Sequence, residues 1–94
     1  MSTEIRFVWD EAKNRANLIK QGLDFARVAE VFSGTTFTVP DDRFAYGEAR
    51  YFTLGLLDVT VVVVIHTEDN DTIRVISFRK ATKYEQRLYF ENTR

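Results

Sequence analysis

The fold is decided by residues 59–79, which read VTVVVVIHTEDNDTIRVISFR. Residues 59–67 are apolar at positions that point to both faces of a strand, a pattern typical of a central strand covered on both sides. The polar run at 68–71 predicts a tight turn. Residues 72–79 then return as a second strand rich in β-forming side chains. The segment therefore predicts an antiparallel hairpin at the centre of a sheet.

Further strands are predicted before this hairpin. Residues 50–57 alternate, with Phe52, Leu54 and Leu56 on one face, and Asp58 supplies the turn into the central strand. Residues 35–39 form a strand that ends at Pro40, and residues 43–49 connect it to the next strand as a loop. Residues 4–9 contain a first strand. We expect a sheet of four to five strands.

Three helices complete the prediction. Asp10 is a candidate N-cap and Gly22 a candidate C-terminal stop for the first helix. Its 3.6-residue period predicts that Ala12, Ala16 and Ile19 face the core.

The second helix follows Asp24 and stops at residues 33–34, and its inward face is predicted to hold Phe25, Val28, Ala29 and Phe32. Thr82 and Glu85 have the spacing of a capping box at the start of the last helix. The order β-α-α-β-β-β-β-α predicts one α+β domain over residues 1–94, with helices packed on a mainly antiparallel sheet.

The composition narrows the possible chemistry. The 94 residues contain no cysteine and one histidine, which excludes disulfides, thiolate metal sites and multi-histidine sites. Any metal would have to be held by carboxylates alone, and because no carboxylate cluster has convincing ligand spacing, no cofactor or metal is predicted. The sequence has no run of apolar residues long enough to span a membrane and no signal-peptide pattern at its start, so a cytoplasmic location is the expectation. The net charge is −1, yet residues 74–94 carry six basic and two acidic side chains, which is where a polyanion would bind.

One group of candidate binding residues lies on the first helix. Lys13, Asn17 and Gln21 recur every four residues, with Lys20 beside them, so one stripe of the helix presents cations and amides. This stripe could contact a phosphate-bearing ligand. A solvated helix face would show the same pattern.

A second group lies on the last strand. The two-residue period predicts Ser77 and Arg79 on one face, and Arg74 on the other with Ile76 and Phe78. Guanidinium groups bind phosphate in a bidentate manner and keep their charge, which suits a phosphodiester substrate. The alternative is that Arg79, at the strand end, simply pairs with an acidic side chain.

Two side chains on the last helix are candidates for proton transfer. Glu85 could act as an acid or base, although a capping role also explains it, and Tyr89 could reach the same surface or pack in the core. His66 lies in an apolar strand and is predicted to be a half-buried, hydrogen-bonded group and not a catalyst. Asp69 and Asp71 are predicted to belong to a turn, and a metal site is the weaker alternative for this pair.

The order of these residues resembles the BrnT family, small ribonuclease toxins with a RelE-like fold from type II toxin–antitoxin modules. The resemblance spans nearly the whole chain and is carried by Trp9-Asp10-Glu11-Ala12-Lys13, Asn17, Lys20, Gly22, Phe25, Ala29, Val31-Phe32, Asp42-Arg43, Tyr46-Gly47-Glu48, Arg50, Gly55, Arg74-Val75-Ile76-Ser77-Phe78-Arg79-Lys80-Ala81-Thr82, Glu85-Gln86-Arg87 and Tyr89.

The resemblance implies an RNA-cleaving toxin that is neutralised by a cognate antitoxin. Such an antitoxin, similar to BrnA, carries a ribbon-helix-helix part, so the toxin would meet DNA only through its partner. Cleavage would proceed without a metal, through attack of the RNA 2′-hydroxyl on the adjacent phosphate. Roles are then expected for phosphate clamps, for positioning residues and for proton-transfer groups. The clamps are Arg50 and Arg79, Lys13 and Asn17 position the phosphate, Glu85 or Tyr89 transfers a proton, and Lys20, Gln21, Ser77 and Arg74 contact the substrate.

Two positions depart from the family pattern. Gln21 stands where the family usually has histidine, and Phe78 stands where it usually has a small residue. Glutamine can hydrogen-bond a phosphate but cannot transfer a proton near neutral pH. The alternative function is therefore a catalytically inactive relative that acts only as an antitoxin-binding corepressor module.

Overall fold

The computed structural model describes residues 4–43 and 45–94 and shows the predicted α+β architecture, with a five-stranded sheet in the order β1-β5-β4-β3-β2. The pair β1–β5 is parallel and the other three pairs are antiparallel. Position 44, in the predicted loop at 43–49, lies outside the described residues. The elements are β1 (Arg6–Val8), α1 (Glu11–Gln21), a 3₁₀ turn (Phe25–Arg27), α2 (Val28–Phe32), β2 (Phe37–Pro40), β3 (Tyr51–Leu57), β4 (Thr60–Asp69), β5 (Thr72–Lys80) and α3 (Lys83–Thr93).

The two central hairpins turn at residues that tolerate left-handed backbone. Asp58 joins β3 to β4 and Asn70 joins β4 to β5, each with φ of 56°. Asp and Asn accept this conformation because their short polar side chains hydrogen-bond locally. The second turn is tighter than the sequence predicted, since residues 68 and 69 still belong to β4.

Both faces of the sheet are covered, as the apolar central strand predicted. One face, which we call the inner face, is covered by the 3₁₀ turn and α2: Val62 and Val64 pack there with Phe25, Val28 and Val31. On the opposite face, β3 and β4 side chains pack with Tyr89 of α3. Gly55 allows α2 to approach the sheet, because a Cβ at this position would lie 2.6 Å from Val31 Cγ1.

The prediction for the buried side of α1 was wrong. Ala12 and Ala16 are exposed, and Ile19 is 87% exposed. The helix instead turns Asn14 inward, where its Nδ2 donates to Asp24 Oδ1 and its Oδ1 accepts from the Phe25 N–H. Hydrogen bonds to the backbone that follows the helix, not apolar contacts, therefore set its rotation.

The predicted faces of β5 were also wrong in part. Arg74 lies opposite Thr67 and Ser77 opposite Ile65, and between them a β-bulge leaves Ile76 without a partner in the ladder. One extra residue shifts the alternation, so Arg74 joins Ser77 and Arg79 on one face while Val75 and Phe78 share the inner face. A strict two-residue period cannot anticipate this shift.

Candidate functional site

The bulge creates a row of polar side chains on the face of the sheet opposite α2. Arg74, Ser77 and Arg79 lie opposite Thr67, Ile65 and Val63, which are alternate residues of the regular strand β4. We call this surface, together with Arg50 at its margin, the arginine face. Its three guanidinium groups face two glutamates, Glu48 and Glu85, so the ionised groups named here leave a net charge of +1.

Arg79 and Glu85 form the first part of this surface, which we call the helix cluster. Arg79 donates from Nη1 and Nη2 to the two carboxylate oxygens of Glu85 at 2.8 and 3.0 Å. Glu85 also accepts from the Thr82 N–H at 2.9 Å, and the Glu85 N–H donates to the Thr82 hydroxyl at 3.2 Å, which completes the predicted capping box. The Arg79 guanidinium holds the pKa of Glu85 below its usual value. Glu85 is therefore ionised at neutral pH and can accept a proton but not supply one.

The helix cluster leaves part of the Arg79 guanidinium available. An arginine side chain has five N–H donors. Glu85 takes two of them and the Lys80 carbonyl takes a third at 3.2 Å. Within the described ranges 4–43 and 45–94, no acceptor engages the Nε–H and the second Nη2 hydrogen. Together these two donors form the side-on fork that binds a carboxylate or phosphate.

The second part of the surface, the loop cluster, consists of Tyr46, Glu48, Arg50 and Arg74. Glu48 Oε1 accepts from Arg74 Nη2 at 2.7 Å and lies 3.5 Å from Arg50 Nη2. The Arg50 guanidinium stacks on the Tyr46 ring, 4.0 Å from its centroid. The Arg74 guanidinium lowers the pKa of Glu48. Glu48 thus lies between two cations.

Arg50 stands out within the loop cluster. Its side chain is 23% exposed, and its buried Nε has no hydrogen-bond partner among residues 4–43 and 45–94. Its backbone is fixed because the Asp41 N–H donates to the Arg50 carbonyl at 2.8 Å. An unsatisfied buried donor is costly, so Arg50 is held in this position by its other contacts.

The two clusters lie at separate places on the sheet. Arg74 and Arg79 pair with residues four positions apart on β4, which corresponds to about 13 Å along the strand. The structure therefore brings Arg50 together with Arg74, whereas Arg79 is engaged with Glu85. The sequence prediction had placed Arg50 and Arg79 on one phosphate.

The candidate stripe on α1 runs along the free edge of β5. Asn17 fixes it there: its Nδ2 donates to the Phe78 and Leu23 carbonyls, and its Oδ1 accepts from the Phe78 N–H. Asn17 thereby hydrogen-bonds the backbone N–H and carbonyl of Phe78, on the part of the β5 edge that β1 does not reach. Both hydrogens of its amide nitrogen are engaged. Lys13 and Lys20 are exposed and Gln21 is partly exposed, so these three can contact a ligand at this edge.

Two internal side chains belong to the core and not to the open surface. Tyr89 lies on the same face of the sheet as the arginine row, but it is 4% exposed and its hydroxyl donates to the Thr35 carbonyl at 2.9 Å, so it is packed in the core. His66 is fully buried, more deeply than the half-buried position predicted, and its Nε2 lies 2.7 Å from the Thr53 hydroxyl, which confirms the predicted hydrogen bond. Burial lowers the pKa of His66 to about 4.

Sequence reasoning overlooked Glu48 and Tyr46 as site residues. The side-chain period could not have found them, because Gly47 and Glu48 lie in a bend within the loop that precedes β3. Across the described parts of the chain, no three His, Asp or Glu side chains group as a metal site would require. In the same residues, no helix has the length and apolar character needed to cross a membrane.

The fold and this surface define a small α+β protein with three arginines and two glutamates paired on one face of its sheet. Residues 9–85 match the family described as “Ribonuclease toxin, BrnT, of type II toxin-antitoxin system”. The chain belongs to the BrnT family of ribonuclease toxins.

A solved structure supports the same assignment. The chain is similar to the ribonuclease toxin BrnT of Brucella abortus, known from a crystal structure, with 28% sequence identity and a TM-score of 0.69. The match covers 84% of this chain and 99% of the Brucella protein. A search of curated proteins found no match. Membership in a type II toxin–antitoxin family implies a cognate antitoxin as partner.

Proposed function

We propose that this chain is an active toxin that cleaves RNA without a metal ion, through attack of a 2′-hydroxyl on the adjacent phosphate. The observation that carries the proposal is the arginine face, where Arg50, Arg74 and Arg79 present more positive charge than Glu48 and Glu85 neutralise. A phosphoryl transition state gains negative charge, and fixed cations are what stabilise it.

The reaction assigns a distinct role to each group of the helix cluster. The free side-on fork of Arg79 binds the scissile phosphate. Glu85, ionised and held in place by Thr82, accepts the proton of the 2′-hydroxyl. The 2′-oxygen then forms a bond to phosphorus, and the bond from phosphorus to the 5′-oxygen breaks. The 5′-oxygen takes a proton from water, which leaves a 2′,3′-cyclic phosphate and a 5′-hydroxyl.

The remaining candidates bind the RNA strand on either side. Arg50 and Arg74 contact the backbone at the loop cluster, and Ser77 lies between the two clusters on β5. Lys13, Lys20 and Gln21 contact RNA along the edge of β5. Asn17 positions α1 and therefore acts on this stripe indirectly. The antitoxin, a BrnA-like ribbon-helix-helix protein, would neutralise the toxin and provide its only link to DNA.

The test is incubation of the purified protein with labelled single-stranded RNA in excess EDTA, followed by analysis of product ends. Cleavage with cyclic-phosphate ends is the expected result. Arg79→Ala should abolish it. Arg27→Ala is the matched control, because Arg27 also forms ion pairs with carboxylates, those of Glu30 and Asp58. It lies on the 3₁₀ turn, far in the sequence from Arg79. Cleavage that persists in Arg79→Ala would remove Arg79 from the site.

A second candidate function follows from Gln21, which replaces the family histidine. If proton transfer by that histidine is indispensable, this chain is an inactive module that binds the antitoxin and acts as corepressor. No cleavage of RNA by a folded protein, free or with ribosomes, would favour this reading. The same arginine face would then serve to bind the antitoxin alone.

A further inference from the structure

We propose that Arg50 and Arg74 form a second phosphodiester-binding subsite, separate from Arg79, and that Glu48 occupies the place of the phosphate when RNA is absent. The inference rests on the proposed function, since it assigns a further phosphate of the same RNA. It also assigns a role to Glu48, which the cleavage reaction does not use.

The charges of the loop cluster support this assignment. Two guanidinium groups share one carboxylate, with Glu48 Oε1 at 2.7 Å from Arg74 Nη2 and 3.5 Å from Arg50 Nη2. One carboxylate cannot neutralise both cations. An anion with more acceptor oxygens would bind both, and a phosphodiester has such oxygens.

The unsatisfied donors of Arg50 point to the same ligand. The Nη2 of Arg50 lies 3.5 Å from Glu48 Oε1, which is too long for a strong hydrogen bond. The buried Nε of Arg50 has no hydrogen-bond partner in the described chain. The Tyr46 ring holds the guanidinium plane in place at 4.0 Å. The Arg50 guanidinium is therefore ordered in advance, and its weakly engaged Nη2, not its buried Nε, is the donor offered to an incoming phosphate.

The exposure of Glu48 makes it displaceable. Its side chain is 42% exposed, and the contacts described for its carboxylate are those with the two arginines. Exposed ion pairs contribute little free energy, so an incoming phosphate can replace the Glu48 carboxylate at small cost. The spacing of about 13 Å along β4 makes this subsite bind a phosphate other than the one at Arg79.

The experiment measures binding of a fluorescent single-stranded 2′-O-methyl RNA, which lacks the attacking hydroxyl. Glu48→Gln should bind roughly two- to fivefold tighter than wild type, because the competing charge is gone. Glu30→Gln is the matched control: it removes the same charge from an arginine pair on α2 and should change affinity less. Glu48→Asp, which keeps the charge on a shorter arm, should fall between wild type and Glu48→Gln.

Weaker binding by Glu48→Gln, or an effect equal to that of Glu30→Gln, would overturn the role of Glu48. On cleavable RNA, Glu48→Gln should lower KM by the same roughly two- to fivefold, whereas a large loss of kcat would make Glu48 a proton-transfer group instead. Arg50→Ala and Arg74→Ala should each weaken binding. If Arg79→Ala weakens binding but these two do not, the second subsite is disproved and the proposed function stands. If none of the three weakens binding, the proposed RNA surface fails with it.

Discussion

The helix cluster and the loop cluster both pair arginine with glutamate, yet they hold the glutamate very differently. Glu85 accepts from both Arg79 nitrogens and from the Thr82 N–H, and its side chain is 14% exposed. Glu48 has one short contact, with Arg74, and its side chain is 42% exposed. The number of hydrogen bonds that hold the carboxylate therefore decides its behaviour. A glutamate held by several, like Glu85, stays in place, and a glutamate held by one, like Glu48, can be displaced by a ligand.

The largest expected difference between the clusters is kinetic. Arg79→Ala should lower kcat by about a hundred- to a thousandfold, because the variant lacks a hydrogen-bond donor that stabilises the negative charge of the transition state. Arg50→Ala should act mainly on KM, because it binds RNA away from the reacting phosphate. Steady-state kinetics on a short RNA separates the two. Equal losses of kcat in both variants would mean that both arginines act on one phosphate.

Acid pH should weaken the fold through His66 while both glutamate pairs stay ionised. The pKa of His66 is about 4 in the folded chain and about 6.5 in the unfolded chain. Between these values the unfolded state binds more protons, so stability falls as pH falls, by about 1.4 kcal/mol per pH unit. The free energy of unfolding should therefore drop by about 2 kcal/mol from pH 6.5 to pH 5.

This pH effect can be isolated because the chain has a single histidine. Urea unfolding of His66→Gln over the same range provides the comparison, and its stability should change little. An equal slope in wild type and His66→Gln would show that another group causes it. A flat wild-type profile would show that His66 titrates normally in the folded protein.

The two glutamates should differ in stability by a smaller amount. Glu85→Gln weakens a partly buried charge-assisted pair and a helix cap, so it should cost about 1–2 kcal/mol. Glu48→Gln should cost at most about 0.5 kcal/mol because its pair is exposed. Chemical denaturation at pH 7 measures both. A larger loss of stability for Glu48→Gln than for Glu85→Gln would mean that Glu48, and not Glu85, is the firmly held carboxylate.

The smallest expected effect concerns Gln21. If Glu85 accepts the proton, then Gln21→His should change the cleavage rate by less than about tenfold and add no new inflection near pH 6.5. A large gain in rate with such an inflection would assign proton transfer to this position on α1. The pH–rate profile of the variant against wild type decides between the two.

The sequence predicted the order of elements, the central hairpin and the capping box because each depends on local chemistry. It failed where one residue changes a periodic pattern. The bulge at Ile76 moved Arg74 onto the face of Arg79, and side-chain alternation carries no sign of such a shift. The inward face of α1 was also missed, because it is set by Asn14, which is buried, and Asn17, which is partly buried; both hydrogen-bond to backbone groups outside the helix, which a hydrophobic period cannot represent.

The central claim is that the arginine face binds RNA. It is tested most directly by NMR of the arginine Nε–H groups during titration with single-stranded 2′-O-methyl RNA. If RNA binds there, the signals of Arg50, Arg74 and Arg79 will move with a common affinity, while that of Arg27, paired with Glu30 and Asp58, will stay in place. Movement of the Arg27 signal with no change at the other three would contradict it.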